Sequence, residues 1–444
     1  MPVQVFDVLG ELLDALHERS VWDAFVSNFH VGSAFLRPMR TAQIKALFDL
    51  AGGEHYWLVY RGFHAALLVA TVLLFVAALR VASRIDFAAA VFALAVLVGM
   101  HTFWPTVQEA FPINHFLEIV FFCLLTVNLA RSRGGTVVDV VAVLVLAAAA
   151  LTLDSGVLVW VVAATAWAIG WRGISARGLT AMTIAAAGYF FVRFVVLSSG
   201  VPDVSLRSSG FLFTMLEPDQ VEQRFGNPPF WFYAYNVGTA ALSVLFSEPR
   251  AGVFATTRAW LSNEVDLGLT LAFATSAATT MLLAWAALRS WRQRGFDDTV
   301  RFAVLFVVVL GANAALSFAY TKSDIISVAG AFYALAAFAG IRTAAEWCQR
   351  LPAARAIAVT VALGLLTTGW SVRAANLHFL LRTQAFRHQN DWVQLPLNLR
   401  GTRQWPSDAA GEDLLYRLRD SAIGLQLPNP LTGEPRWPEY VWEN

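Results

Sequence analysis

The feature that most limits how this chain can fold is a series of ten apolar stretches. Most of them are near the ~20 residues that a helix needs to cross a bilayer. In the first half of the chain, arginines occupy every second connection between the stretches. This alternation predicts antiparallel membrane helices whose arginine-bearing ends are cytoplasmic by the positive-inside rule. The stretches are residues 56–79, 86–103, 113–130, 136–153, 156–171, 178–197, 267–288, 302–320, 324–341 and 354–370.

Composition supports a membrane protein and excludes other classes. The chain is 57% hydrophobic and only 14% charged, well outside the balance of an ordinary soluble domain. A net charge of +1 without a basic cluster argues against nucleic acid as a partner. The two cysteines, Cys123 and Cys348, lie in or beside apolar stretches, so a disulfide framework or thiolate metal site is not supported. We therefore predict an all-α polytopic integral membrane protein with about 10 to 11 transmembrane helices.

The segment 230–247 is apolar but does not fit the alternation as a full crossing. If it crossed, the arginines at 289–301 would face outward and the acids at 248–266 inward. Prolines in Asn227-Pro228-Pro229 and Glu248-Pro249 flank the segment. Interrupted backbone is tolerated in a membrane where protein covers it. We expect a re-entrant element here, inside a large outward loop that covers residues 198–266.

The two ends of the chain are more polar than the middle. Because successive connections alternate between the two faces of the membrane, residues 1–55 fall on the outward side. That placement would require a preceding span. Residues 371–444 are polar and contain prolines, with an arginine-rich helical candidate at 373–388. We expect an outward N-terminal segment, a transmembrane domain over 56–370 and a small extracytoplasmic C-terminal cap.

The polar residues that could carry chemistry collect on the predicted outward side. The sequence contains no P-loop, dinucleotide fingerprint, HExxH helix or nucleophile elbow. The short outward stretches are Phe35-Leu36-Arg37-Pro38-Met39-Arg40, Trp104-Pro105-Thr106-Val107-Gln108-Glu109 and Leu153-Asp154-Ser155-Gly156, with Arg193 beyond them.

These stretches resemble motifs of the polytopic GT-C glycosyltransferases, in particular the protein O-mannosyltransferase-like group. Arg37-Pro38 matches the arginine-proline pair before an early span, and Arg193 matches the arginine that follows an aromatic run. Pro105 and Glu109 keep the proline-to-acid spacing, although Trp104 stands where the family has histidine. Two matches are degraded: Tyr60-Arg61-Gly62-Phe63-His64 for Tyr-His-x-x-Asn, and Leu153-Asp154 for Lys-Glu.

The resemblance implies transfer of a sugar from a polyprenyl-phosphate carrier to an acceptor hydroxyl of a protein or glycan, on the outer face of a bacterial inner membrane. Such a reaction requires a carboxylate as general base and cations for the departing phosphate. In the family the essential acid follows the first span, and Asp7 lies nearest to that position, ahead of Asp14 and Asp23. The predicted catalytic residues are Glu109, Asp154 and Asp7, and the predicted substrate-binding residues are Arg37, Arg40, Arg61, His64, His101, His115, Arg193 and Lys322.

Simpler interpretations stay open for each residue. Glu109 could be solvated at the interface, Asp154 could cap the following helix, and Arg193 could snorkel to the membrane surface. Lys322 could form a local ion pair with Asp324. His115 and Glu118 offer only two helical ligands, so we predict no dedicated metal site and no cofactor, with a divalent metal not excluded.

Two other function classes remain possible for such a chain. A transporter or lipid flippase would also need a helical bundle with a few embedded polar residues. It would often show interrupted helices in both halves, whereas this sequence has one such element. A catalytically inactive GT-C relative would keep the carrier site without turnover. Membrane lipids are expected partners in every case.

Overall fold

The computed structural model describes residues 6–32, 35–51, 55–108, 113–199, 208–248, 252–319, 321–425 and 427–433. The chain is 76% helical. Within the described ranges, the sheet is one hairpin of β1 (Ser209–Phe211) and β2 (Thr214–Leu216), paired antiparallel with Gly210 opposite Met215. The prediction of an all-α membrane-embedded protein is confirmed at this level.

The helices follow the apolar stretches closely. A single-turn 3₁₀ helix covers Asp154–Val157, and a π turn over Phe191–Val196 extends the tenth helix. In chain order the helices are α1 Phe6–His17, α2 Val21–Val26, α3 Pro38–Ala51, α4 Tyr56–Leu79, α5 Arg84–Gly99, α6 Trp104–Gln108, α7 His115–Ala130, α8 Thr136–Thr152, α9 Leu158–Ala168, α10 Ala176–Phe190, α11 Pro218–Phe225, α12 Phe230–Phe246, α13 Ala255–Leu261, α14 Leu267–Arg294, α15 Asp298–Leu316, α16 Ser327–Cys348, α17 Ala353–Leu399 and α18 Ala409–Leu425.

In the described ranges, six helices are long and apolar enough to cross a membrane. They are α4, α10 with its π turn, and α14 to α17. Four shorter apolar segments lie among them: His115–Ala130, Thr136–Thr152, Asp154–Ala168 and Phe230–Phe246. The total of ten or eleven crossings stays a prediction.

The arginine-bearing connections meet at one end of the bundle, as the alternation requires. Arg131, after α7, donates from Nη1 to the carbonyl of Ala78 near the end of α4 (2.7 Å). Arg342 in α16 lies 3.0 Å from Asp86 at the start of α5. We call this the arginine end. The opposite connections meet at the other end, where the Gly32 N–H after α2 donates to the Leu197 carbonyl after α10 (2.8 Å) and Arg37 pairs with Asp154 after α8. Which side of a membrane each end faces stays a prediction.

Helix α16 lies at the centre of the bundle. Its most apolar window is 89% buried, against 44% or less in the other candidate spans, so protein surrounds it on nearly every side. Its glycines allow this close packing. A methyl group at Gly330 would lie 2.0 Å from the Thr102 hydroxyl, and one at Gly340 would lie 2.8 Å from Leu283. Small residues let membrane helices approach each other in this way.

The N-terminal and C-terminal segments form one small helical domain beside the bundle. Leu12 of α1, Ile44 of α3, Trp392 of α17 and Leu415 of α18 share a buried core separate from that of the bundle. Helix α17 connects the two cores, since its 47 residues correspond to about 70 Å. The boundary expected at residue 371 therefore falls inside a continuous helix, and the candidate at 373–388 is part of it. We call this domain the cap.

Helix α12 has the geometry of an element that enters and leaves the bundle from one end. Asn236, near its start, donates to the Phe318 carbonyl just beyond α15 (2.9 Å). The Leu245 carbonyl, near its end, accepts from Thr280, well inside α14 (2.6 Å). The chain then returns to the level of Tyr235, whose hydroxyl donates to the Gly252 carbonyl. The helix itself is unbroken, because the prolines lie outside it. Its placement in a membrane stays a prediction.

Candidate functional site

Three segments far apart in sequence meet at the carboxylate of Asp154. Arg37 Nη2 lies 3.0 Å from Oδ2, and Arg193 Nη1 contacts Oδ1. Tyr189 completes the group, since its hydroxyl accepts from Arg193 Nη1 at 3.1 Å. We call these four residues the Asp154 cluster. Arg193 is only 7% exposed and Asp154 29%, so the cluster is partly open to its surroundings.

A tight turn places Asp154. Leu153 leaves α8 in an extended conformation, and the 3₁₀ turn follows at once. A methyl group at Gly156 would lie 2.0 Å from the Ala149 carbonyl oxygen, so only glycine allows the turn to pack this closely onto α8. Within the described ranges Asp154 accepts no backbone N–H, and its donors are the side chains of Arg37, Tyr189 and Arg193. The interpretation of Asp154 as a helix cap is therefore wrong.

The π turn after α10 places Arg193. Neighbouring side chains face outward: Phe191 is 58% exposed, Phe194 45% and Val195 64%. Arg193 itself is buried and points to the Asp154 carboxylate instead. The π turn thus gives Arg193 a carboxylate partner inside the protein. Whether its guanidinium also reaches the membrane surface stays a prediction.

Arg37 is held by its own segment. Its backbone N–H donates to the Asn28 side chain at 2.8 Å, and its guanidinium lies 3.8 Å from the centre of the Phe35 ring. Pro38 then begins α3, where its missing N–H costs no helical hydrogen bond. One turn further on, Arg40 forms an ion pair with Glu11 of α1, which joins the cap to the site.

A buried histidine-glutamate pair lies beside this basic region. His115 Nδ1 is 2.8 Å from Glu118 Oε2, and both side chains are only 4% exposed. Helix α7, which begins at His115, contacts the 3₁₀ turn that carries Asp154. The pair therefore lies at the same end of the bundle as the Asp154 cluster.

Several buried nitrogens in this region make no hydrogen bond within the described chain. They are Nε of Arg37, Nε of Arg193 and Nε2 of His115. A buried polar group without a partner costs about 1–3 kcal/mol. The two guanidinium N–H donors suit a ligand that has several oxygen atoms, such as a phosphate ester.

The remaining predicted binding residues are spread along this end. His64 Nε2 contacts the Thr106 carbonyl at 2.9 Å, so that ring joins α4 to α6, and Arg61 lies close enough to interact with it electrostatically. His101 lies half-buried in the turn after α5, and Lys322 is exposed between α15 and α16. Of the predicted set, the ion-paired cluster contains Arg37, Asp154 and Arg193, with Arg40 and His115 at the same end of the bundle.

Two predicted catalytic acids cannot be placed. Glu109 lies outside the described residues. Asp7 belongs to the first turn of α1, and its side chain is not among those that the structure describes. Their catalytic roles stay predictions.

Sequence reasoning did not assign Tyr189, Glu118 or Glu11 to the site. Tyr189 lies four residues before Arg193 and Glu118 three after His115, which are the spacings of side chains that meet on a helix. That periodicity could have identified both. Glu11 has no such signal, since it meets Arg40 only through the packing of α1 on α3.

Among the described residues, no three or more histidine, cysteine or acidic side chains come together as a metal site. No family model matches the sequence, no curated protein is recognisably similar to it, and no solved structure matches the fold. The resemblance to GT-C enzymes thus depends on the residues quoted above, and the site must be judged by its chemistry.

Proposed function

We propose that this chain is a membrane glycosyltransferase that takes a sugar from a polyprenyl-phosphate carrier and passes it to an acceptor hydroxyl at the Asp154 end. The observation that carries the proposal is the Asp154 cluster. Two arginines from separate segments converge on one carboxylate, and each keeps a buried Nε without a hydrogen bond.

The cluster suits the phosphate of a donor. Its two guanidinium groups exceed its one carboxylate by a single positive charge, which favours an anion. Guanidinium groups bind phosphate oxygens in a planar, two-pronged manner. Both oxygens of Asp154 are occupied by arginines, so Asp154 serves as a positioning residue that holds the two cations at a fixed separation.

The surface next to Arg193 suits a lipid carrier better than a soluble one. Ile184, Phe190, Phe191 and Val195 are exposed along α10 and its π turn. A phosphate bound at Arg193 would leave its prenyl chain on this apolar surface. Soluble nucleotide sugars have no such chain and would gain nothing from it.

Sugar transfer also needs a group that accepts a proton. As the acceptor oxygen bonds to the sugar, the sugar-phosphate bond breaks, its electron pair stays on the phosphate, and the acceptor proton must leave. His115 is suited to this role, because Glu118 holds the Nδ1 proton and leaves the Nε2 lone pair available. Glu109 is the alternative base that the family resemblance supplies.

Native mass spectrometry of the purified protein tests carrier binding. Wild type is expected to retain a polyprenyl-phosphate sugar, and Arg193→Gln to lose it, because the guanidinium contact is gone. Arg342→Gln is the matched control, since Arg342 also pairs with a buried acid but at the arginine end. Ordinary phospholipid alone on wild type would contradict the proposal.

Following the bound sugar shows whether His115 or Glu109 is the base. It also distinguishes a glycosyltransferase from a flippase or an inactive relative. His115→Gln should keep the carrier but slow sugar loss to an acceptor-containing membrane extract by about 10²–10⁴-fold. If Glu109→Gln does so and His115→Gln does not, Glu109 is the base. A carrier whose sugar is never lost from wild type would favour a lipid flippase or an inactive relative.

A further inference from the structure

A cleft at the arginine end opens between the last turns of α14 and α16. It is shallow: its empty space of about 260 Å³ includes open solvent, and the enclosed part has room for about one water molecule. The cleft lies at the opposite end from the Asp154 cluster, so an argument about it is independent of the proposed function. It is lined by Arg289, Ser290, Gln293, Thr343, Glu346, Trp347 and Arg350.

The cleft carries uncompensated positive charge. Its one acid, Glu346, is 3.2 Å from Arg342, which also pairs with Asp86. In the part of the chain that the structure describes, neither Arg289 nor Arg350 forms an ion pair with an acid. Two cations therefore face the cleft, while its acid is already engaged by a third.

Aromatic rings hold one of these cations in place. The Arg289 guanidinium lies 5.7 Å from the Trp285 ring centre and 5.6 Å from that of Trp347. The two indoles pack against each other with centres 5.2 Å apart. Arginine stacked on a ring keeps its edge N–H groups available for an oxyanion. Tryptophan also prefers the headgroup layer of a membrane.

The exposed face of α14 near its end, away from the cleft lining, is apolar. Leu288 is 61% exposed and Trp291 59%, and Phe296, which packs on Trp291, is 41% exposed. A ligand with a negative head at Arg289 and Arg350 would reach this face only with a hydrocarbon chain that extends out of the cleft. Basic pockets between membrane helices commonly bind lipid headgroups by this combination.

We propose that the cleft binds the phosphate oxyanion of an anionic phospholipid through Arg289 and Arg350. The shared chemistry is a phosphate group, which inorganic phosphate could also supply. The cleft lies at the ends of two candidate membrane spans, α14 and α16, where a lipid headgroup would meet the protein, and this position favours the lipid as its source.

The test uses the full chain in nanodiscs of equimolar phosphatidylglycerol and phosphatidylcholine, followed by native mass spectrometry of the released protein. Wild type should retain phosphatidylglycerol in excess, and Arg289→Gln or Arg350→Gln should each reduce the excess about fivefold. Arg292→Gln is the matched control, because Arg292 is an exposed arginine of α14 that does not line the cleft. It should leave the excess unchanged.

Inorganic phosphate distinguishes the two sources. Displacement of phosphatidylglycerol from wild type by millimolar phosphate would support a site that accepts either source, and no displacement would support a site that requires the lipid. Equal retention by wild type, Arg289→Gln and Arg350→Gln would overturn the proposal. An equal loss in Arg292→Gln would overturn it too, because it would indicate diffuse surface charge. Size-exclusion profiles and helical circular dichroism check that each variant is folded.

Discussion

Asp86 and Asp154 lie at opposite ends of the bundle, and both begin a helical turn after a connection. Asp86 is 5% exposed and accepts from the backbone N–H groups of Ala82 and Ser83, while Ser83 caps the helix in return. Asp154 is 29% exposed and is held by side chains from segments 39 and 117 residues away. Asp86 therefore combines local backbone donors with the Arg342 contact, whereas among the described residues only side chains from other segments hold Asp154.

The difference separates a structural acid from a candidate functional one. A capping carboxylate stabilises its own helix, by about 1 kcal/mol in a typical case. A carboxylate held by remote arginines contributes nothing to the local helix and instead fixes the positions of two cations. Such an arrangement at a partly open site is typical of functional residues.

The largest expected effect comes from replacing each acid with its amide. Asp154→Asn should lower sugar transfer by about 10²-fold, because the arginines lose the charge that positions them against the phosphate. Asp86→Asn should leave transfer near wild type and lower the free energy of unfolding by about 1–2 kcal/mol. Single-turnover sugar release and thermal unfolding in detergent measure the two effects. Equal sugar transfer in Asp154→Asn and Asp86→Asn would contradict a functional role that Asp154 has and Asp86 lacks.

Glycine at position 156 provides the next test. Gly156→Ala should destabilise the protein by about 1–3 kcal/mol and weaken carrier retention, because the new methyl group pushes the Asp154 turn away from α8. Gly62→Ala is the control, since a methyl group there meets no atom within 4 Å. Thermal unfolding and native mass spectrometry of both variants decide the matter. Wild-type carrier retention in Gly156→Ala would show that the turn does not position the cluster.

A smaller effect is expected from the tyrosine of the cluster. Tyr189→Phe removes the hydroxyl that accepts from Arg193, and carrier retention should fall about fivefold, in keeping with about 1 kcal/mol for one hydrogen bond. Tyr333→Phe is the control, because that buried hydroxyl donates to the Ser276 carbonyl away from the cluster. If both variants bind carrier equally, Tyr189 has no role in binding.

The smallest effect concerns Asp408 in the cap. This residue contacts both a backbone N–H close in sequence and a side chain remote in sequence. Its carboxylate accepts from the Gly411 N–H and lies 2.6 Å from His17 Nε2. The hydrogen bond to Asp408 raises the pKa of His17, as does its contact with the Leu13 carbonyl, and the same bond lowers the pKa of Asp408. Both ring nitrogens face acceptors, so only the protonated ring donates twice.

The sign of the pH effect follows from these two shifts. The contribution of His17 is complete below its ordinary pKa of 6.5 and is lost as pH rises through the raised value. The contribution of Asp408 is present above 3.8 and is lost as pH falls through the lowered value. Hydrogen exchange of α1, corrected for intrinsic rates, should show less protection above pH 6.5 in wild type and no such change in His17→Gln. A parallel decline in both would exclude this contact as the cause.

The sequence predicted most helix positions to within a few residues, because hydrophobic length and interrupting charges are local properties. It also predicted that Arg37, Asp154 and Arg193 share one end of the bundle. That prediction needs only that each apolar helix carries the chain to the opposite end. It could not exclude that Asp154 caps a helix, and it could not pair Arg193 with a carboxylate, because both depend on side-chain direction. The π turn and the close packing at Gly156 decide those directions.

What the sequence by itself determined is therefore the positions of most apolar helices and the end of the bundle at which Arg37, Asp154 and Arg193 lie. Tertiary structure alone decided that Asp154 meets Arg37 and Arg193, that Glu11 meets Arg40, and that the two chain ends share the core of the cap. The physical reason is the range of the forces involved. Whether a stretch forms an apolar helix depends on residues that are adjacent in sequence. An ion pair between residues 117 positions apart forms only after the segments that carry them have packed together.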